Sequence, residues 1–175
     1  VDRWEPQLIA VGSQLSLPRG LHCLESTCPC APYSNQKGRQ AERQLAELGI
    51  SIFATTKTSI IKPLIYRGIK LAAKLRGHGV TVIEVYPPAT SKIVFENMPT
   101  GKNISNKTKF LTGALGEEIE GLEPFDRLIS KMPACNALLS GLTACLYTRG
   151  KTVELGNKEE GFIVIPKHRF FQVMR

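Results

Sequence analysis

A chain of 175 residues that is 42% hydrophobic, with a mean hydropathy of −0.08, can bury one proper core and is not a disordered polypeptide. No run approaches the roughly 18 consecutive apolar residues of a membrane span, and the start Val1-Asp2-Arg3-Trp4-Glu5 carries no secretion signal. The formal net charge of +8 and pI of about 9.4 favour a polyanionic partner, nucleic acid first. The expectation is one cytoplasmic domain over residues 1–175. Without an initiator Met, it reads as a fragment or a processed product. Five cysteines and no oxidising compartment argue for reduced thiols rather than a disulfide framework.

In chain order, Leu8 to Val11 is an apolar run of strand length that Gly12-Ser13 ends. Residues 14–36 form a Cys/Pro-rich loop. Lys37 to Leu48 has Ala41, Leu45 and Leu48 three and four apart, with Arg39, Arg43 and Glu47 on the surface, an amphipathic helix closed by Gly49. Ile50 to Ala54 is a second strand candidate. The hydroxyl run Thr55 to Ser59 caps a helix that extends to Arg76, with Pro63 in its first turns and an apolar stripe of Ile61, Leu64, Ile65, Ile69, Ala72 and Leu75. Val80 to Tyr86, largely β-branched, is the clearest strand, and Pro87-Pro88 stops it. Helices are predicted at 89–95, 105–119 and 134–149, the last with a stripe of Cys135, Leu138, Leu142, Cys145 and Leu146. Phe162 to Ile165 is the final strand. Strands alternating with helices predict an α/β sheet with parallel pairing.

Two constellations carry chemistry. Cys23, Cys28 and Cys30 form a Cys-x4-Cys-x-Cys cluster beside His22, and with Cys135 they would supply four thiolates for zinc or an iron–sulfur cluster. The spacing is not a standard Cys-x2-Cys signature, and buried or unliganded thiols are the competing reading. Lys57, Arg67, Lys70 and Lys74 mark the polar side of the 59–76 helix, a row suited to a phosphate backbone or simply to water. No Ser-His-Asp or Cys-His constellation and no phosphate-binding Gly-rich loop is present.

Three stretches resemble the domain of unknown function 429 family over residues 8–166. Gln14-Leu15-Ser16-Leu17-Pro18, after an apolar strand, resembles its "Pro-Leu-Ser-Leu-Pro" segment. Ile83-Glu84-Val85-Tyr86-Pro87 resembles its "Ile-Glu-Val-Tyr-Pro" strand end, and residues 155–166 resemble its "Leu-Gly-Asp-Pro-Glu-Glu-Gly-Ile-Ile-Val-Ile-Pro". The intervening Tyr66-Arg67-Gly68 also fits. The resemblance implies a ribonuclease-H-like fold, a mixed/parallel sheet flanked by helices, and predicted nuclease activity. In that chemistry converging carboxylates hold two Mg2+ or Mn2+ ions ~4 Å apart. Glu84 would ligate metal, Glu159 or Glu160 would assist, and Arg67 would hold a phosphate.

The chain departs from that pattern. The first "Gly-Ile-Asp" strand is missing, Gly12 stands where an acid is expected, and Cys135-Asn136-Ala137-Leu138 stands for "Cys-Asp-Ala-Leu". Asn136 can offer an oxygen to a divalent cation but no charge. The expectation is therefore a nuclease relative with a degenerate active site. The alternatives are a non-catalytic nucleic-acid-binding protein or a thiol-ligated metal protein. Missing strands would also leave an exposed sheet edge, inviting a homo-oligomer.

Overall fold

The computed structural model describes residues 5–95, 99, 103–116 and 131–167. Within them the order is β1 (Leu8–Val11), α1 (Gln40–Glu47), α2 (Lys62–Gly77), β2 (Thr81–Val85), α3 (Pro87–Val94), α4 (Ile104–Gly116), α5 (Met132–Thr148), β3 (Thr152–Asn157) and β4 (Gly161–Pro166). The strands form one open mixed sheet in the order β1-β2-β4-β3. β1 pairs with β2 and β2 with β4 in parallel, as the alternation of strands and helices predicts, whereas β3 and β4 are antiparallel. Among the described residues no helix is long and apolar enough to cross a membrane.

Strand alternation divides the core into two layers. Ile83 and Val85 of β2 and Val164 of β4 point to one face with Leu8 and Ala10, and α5 covers them through Tyr147. Val82 points to the other face with Ile9, Val11 and Leu15, against Ala72 and Leu75 of α2. Ile163 and Ile165 share that second face with Ala41 and Leu45 of α1. Glu84 lies in register with Ile163, so its carboxylate is directed into the core on the face that α1 and α2 cover.

Local chemistry explains the boundaries. Gly49 closes α1 as predicted, and Gly79 closes α2 in the same way. Gly49 and Gly79 have φ of +70° and +77°. In each case the following residue, Ile50 or Val80, donates its N–H back to the carbonyl five residues earlier, Leu45 or Leu75. Gly68 lets α2 approach the chain leaving β1, since a Cβ there would lie 2.8 Å from both the Gln14 carbonyl oxygen and Ser13 Oγ. Pro87 and Pro88 stop β2 by opening α3, where their missing N–H groups cost nothing.

Four points depart from expectation. Ile50 to Ala54 is not a strand. Its Ile50 side chain enters the core, but side chains take up the backbone groups that a ladder would use: Gln14 Nε2 donates to the Phe53 carbonyl, Tyr86 Oη to that of Ser51. β3 was not foreseen because its mostly half-buried or exposed residues lack alternation, and its place depends on pairing with β4. On α5 the buried stripe is Cys135, Leu139, Ser140, Thr143 and Leu146, so Cys145 is exposed. In α2, Leu64 is about half exposed rather than core, at 48%. The predicted 117–119 end of the fourth helix lies outside the described residues.

Candidate metal centre

Of the carboxylates singled out by sequence, that of Glu84 is engaged by a guanidinium, while Glu160 brings only its backbone carbonyl to the same group. Arg39, immediately before α1, is wholly buried. It reaches Glu84 with both terminal nitrogens, Nη1 lying 2.8 Å from Oε2 and Nη2 bonding Oε1. Its Nε donates to Glu42 Oε1 at 3.0 Å, and Nη1 also reaches Ser16 Oγ at 2.8 Å and the Glu160 carbonyl at 3.4 Å. The Leu15 N–H donates to Glu84 Oε2 at 2.8 Å. Glu42 also accepts from Thr55 N at 2.8 Å and from the Arg39 N–H at 3.0 Å, starting α1.

Glu160 approaches the same point from the β3–β4 turn, but its carboxylate is turned to backbone. It accepts the N–H of Arg19 at 2.9 Å and that of Gln40, in the first turn of α1, at 2.7 Å. An anion is favoured at that helix end. Glu159 is exposed and pairs with Arg19 at 2.8 Å, a surface contact worth little. Asn136 is exposed on α5, which covers the opposite face of the sheet from Glu84, and takes no part in the network.

Every carboxylate oxygen of Glu84, Glu42 and Glu160 thus accepts a protein N–H or O–H. Mg2+ and Mn2+ require charged oxygens that can turn toward them. This set does not fit, because a divalent ion would have to expel Arg39. At Gly12 a Cβ would lie 3.2 Å from Pro87 Cγ, so an acid there would require Pro87 to give by a few tenths of an ångström. Burial works against the Arg39 charge, but hydrogen bonding and proximity to Glu84, then to Glu42, outweigh it and hold its pKa above the ordinary value. Burial pushes the Glu84 carboxyl up, while Arg39 and then the Leu15 N–H pull the other way. We place the charge on both partners, because two-pronged pairing with a permanent cation favours the carboxylate.

The thiols form a different kind of site. The Sγ atoms of Cys23, Cys28 and Cys30 lie within 4.8 Å of one another. Four thiolates at zinc's usual ~2.3 Å would stand about 3.8 Å apart, so little movement closes three sulfurs on one ion. The loop is held for this. Leu24 is fully buried with Leu21 and Ile65, and its N–H donates to Tyr66 Oη at 2.7 Å. Lys57 Nζ donates to the Cys28 carbonyl.

Hydrogen bonds with the backbone of His22 and then of Cys23, followed by the Cys28 thiol, draw Cys30 down to about 6. The Cys30 backbone alone would lower Cys28. The hydrogen bonds of the Cys28 thiol with Cys30 and Cys23 outweigh that and raise it. Near neutral pH the cluster therefore already holds a thiolate, the form that binds metal. Three close cysteines could hold a metal ion such as zinc. Cys135 is not in this group: it is buried with Leu111 and Leu139 between α4 and α5.

Of the basic row, Arg67, Lys70 and Lys74 are exposed along α2, where the half-exposed Leu64 and Leu71 interrupt them. Lys57 belongs instead to the cysteine loop. Arg39, expected on the surface of the first helix, is instead wholly buried, and sequence reasoning passed over Glu42 and Ser16. A readable signal was present, because an inward-facing Glu84 demands a buried cation. Compared with known proteins, the chain matches no family model, no curated protein and no solved structure.

Removing Arg39 strands two buried acids. Arg39→Ala should cost about 3–5 kcal/mol in urea unfolding, and Glu84→Gln should cost less and be non-additive with it; a loss under about 1 kcal/mol for Arg39→Ala would contradict the network. In metal-free protein, Cys30 should alkylate with a half-maximal rate near pH 6, because its lowered pKa keeps thiolate present above that value. A midpoint above pH 8, the range of an ordinary thiol, would contradict the assignment.

Proposed function

We propose that this chain is a thiolate metal-binding protein on an α/β scaffold of ribonuclease-H-like ancestry, and that it does not cleave phosphodiesters. The carrying observation is the gathering of Cys23, Cys28 and Cys30 within 4.8 Å on an anchored loop. Soft thiolates favour Zn2+, Cu(I) or iron–sulfur iron over Mg2+ or Mn2+. Zinc is the reading adopted, with water or a further group completing four-coordination.

The ancestry rests on the resemblance together with the meeting of Glu84 and the 159–160 turn at Arg39. A nuclease relative that exchanges its metal ions for a guanidinium keeps the shape of the pocket and loses the Lewis acid. Nucleic-acid binding is a second reading, favoured by the exposed Arg67, Lys70 and Lys74 on one helix. A phosphate backbone held there requires no metal at Glu84.

Titrating Co2+ into reduced protein should raise sulfur-to-cobalt charge-transfer absorption that saturates at one equivalent. Cys23→Ser or Cys28→Ser should weaken binding by more than about 100-fold, since outer-shell changes alone cost roughly 10–100-fold, and Cys145→Ser should leave it unchanged. Absence of the band, or equal loss with Cys145→Ser, would overturn the reading.

A further inference from the structure

A second concavity, of about 470 Å3, lies between the segment after the cysteines and the turn leading into α2. Its size is that of an ordinary small-molecule site. Its lining combines donors, Lys37, Lys57, Ser34, Thr56 and Thr58, with the apolar Pro18, Leu21 and Pro32. No aspartate or glutamate lines it, although acids make up 15 of the chain's residues. A pocket that offers cations and hydroxyls without a carboxylate repels metal ions and amines, and it suits an oxyanion.

The donors also have capacity to spare. Among the described residues Lys37 carries no ion pair or hydrogen bond, and its side chain is exposed at the rim. Lys57 uses one of its three donors on the Cys28 carbonyl. The Thr56 and Thr58 hydroxyls lie 3.1 Å apart, and either can serve as donor. The frame behind them is fixed by the buried network, since Thr55 is fully buried and its N–H is bound to Glu42. Gly38 also lines the cleft at φ +76°, where a Cβ would strike Glu42 Oε2 at 2.4 Å. Such a site is built before a ligand arrives, which lowers the ordering cost of binding.

We propose that this cleft binds a small organic phosphomonoester, its phosphate held by Lys37, Lys57 and the Thr56–Thr58 hydroxyls and its apolar body against Pro18, Leu21 and Pro32. The dianion takes charge-assisted hydrogen bonds from the ammonium groups, roughly twice as strong as neutral ones. The apolar lining distinguishes an esterified phosphate from the inorganic ion. The cleft shares Lys57 with the cysteine loop, so the test rests on Lys37 and Thr58, which take no part in the thiolate site.

Calorimetric titration of the full chain with phenyl phosphate, inorganic phosphate and phenol tests it. Phenyl phosphate should bind saturably at one site and more tightly than inorganic phosphate, with phenol showing no saturation. Lys37→Ala should weaken phenyl phosphate by about tenfold, the loss of one charge-assisted contact. Thr58→Val should weaken it less, and Arg149→Ala, at an exposed position outside the cleft, should change nothing. Both main positions are exposed, so the variants keep the fold, and unchanged thermal melting confirms it. Absence of saturable binding overturns the proposal, as does equal affinity for inorganic phosphate. An equal loss with Arg149→Ala, the mark of a diffuse basic surface, overturns it too.

Discussion

One guanidinium organises this protein. Arg39 joins β2 through Glu84, the start of α1 through Glu42, the chain after β1 through Ser16, and the β3–β4 turn through the Glu160 carbonyl. These segments are distant in sequence, and besides strand pairing and apolar packing they share the need to satisfy this charge out of water. A buried pair of this kind adds little net stability compared with an apolar substitute, since its attraction is spent on desolvation. Its effect is on specificity: any other arrangement of these elements leaves an acid or a guanidinium unpaired in the core. Among the described residues no buried side-chain nitrogen or oxygen lacks a partner, as a fully connected network requires.

The same network decides what chemistry the fold can host. Ends of parallel strands are common places for a ligand, and carboxylates are gathered at this one. Each of their oxygens already serves an N–H or O–H donor, so the ends of β1 and β2 hold a permanent organic cation instead of exchangeable metal. The thiol cluster has the opposite character. It lies at the surface, its three sulfurs are close without being consumed by strong partners, and the lowered pKa of Cys30 supplies the charge that attracts a soft cation. Hard-metal chemistry is closed off and soft-metal chemistry is open.

Much of the scaffold was legible in the sequence because it follows local rules. The β-branched run at 80–86, the glycines after α1 and α2 and the apolar spacing of Ile65, Ala72 and Leu75 each specify their own structure. Ile50 to Ala54 and β3 were misjudged because both are settled at long range: the first by side chains from Gln14 and Tyr86, the second by pairing with β4. For the sites, the sequence brought Glu84, Glu160 and the three loop cysteines into view as residue types of the right chemistry. It could not show that Glu160 turns its carboxylate to backbone, that Asn136 belongs to a helix on the far face, or that Cys135 packs with Leu111. Arg39 is the main misplacement, and the alternation of β2 could have exposed it, since Val82 and Glu84 share a face and a carboxylate on a buried face requires a cation.

The central claim is that metal goes to sulfur and not to the carboxylates. Crystals grown with Zn2+ and Mn2+ together, measured at both absorption edges, test it in one experiment. The account predicts a zinc anomalous peak bonded to the sulfurs of Cys23, Cys28 and Cys30, and an intact Arg39–Glu84 pair with no manganese beside it. A manganese peak coordinated by Glu84, with the Arg39 side chain displaced, would contradict it.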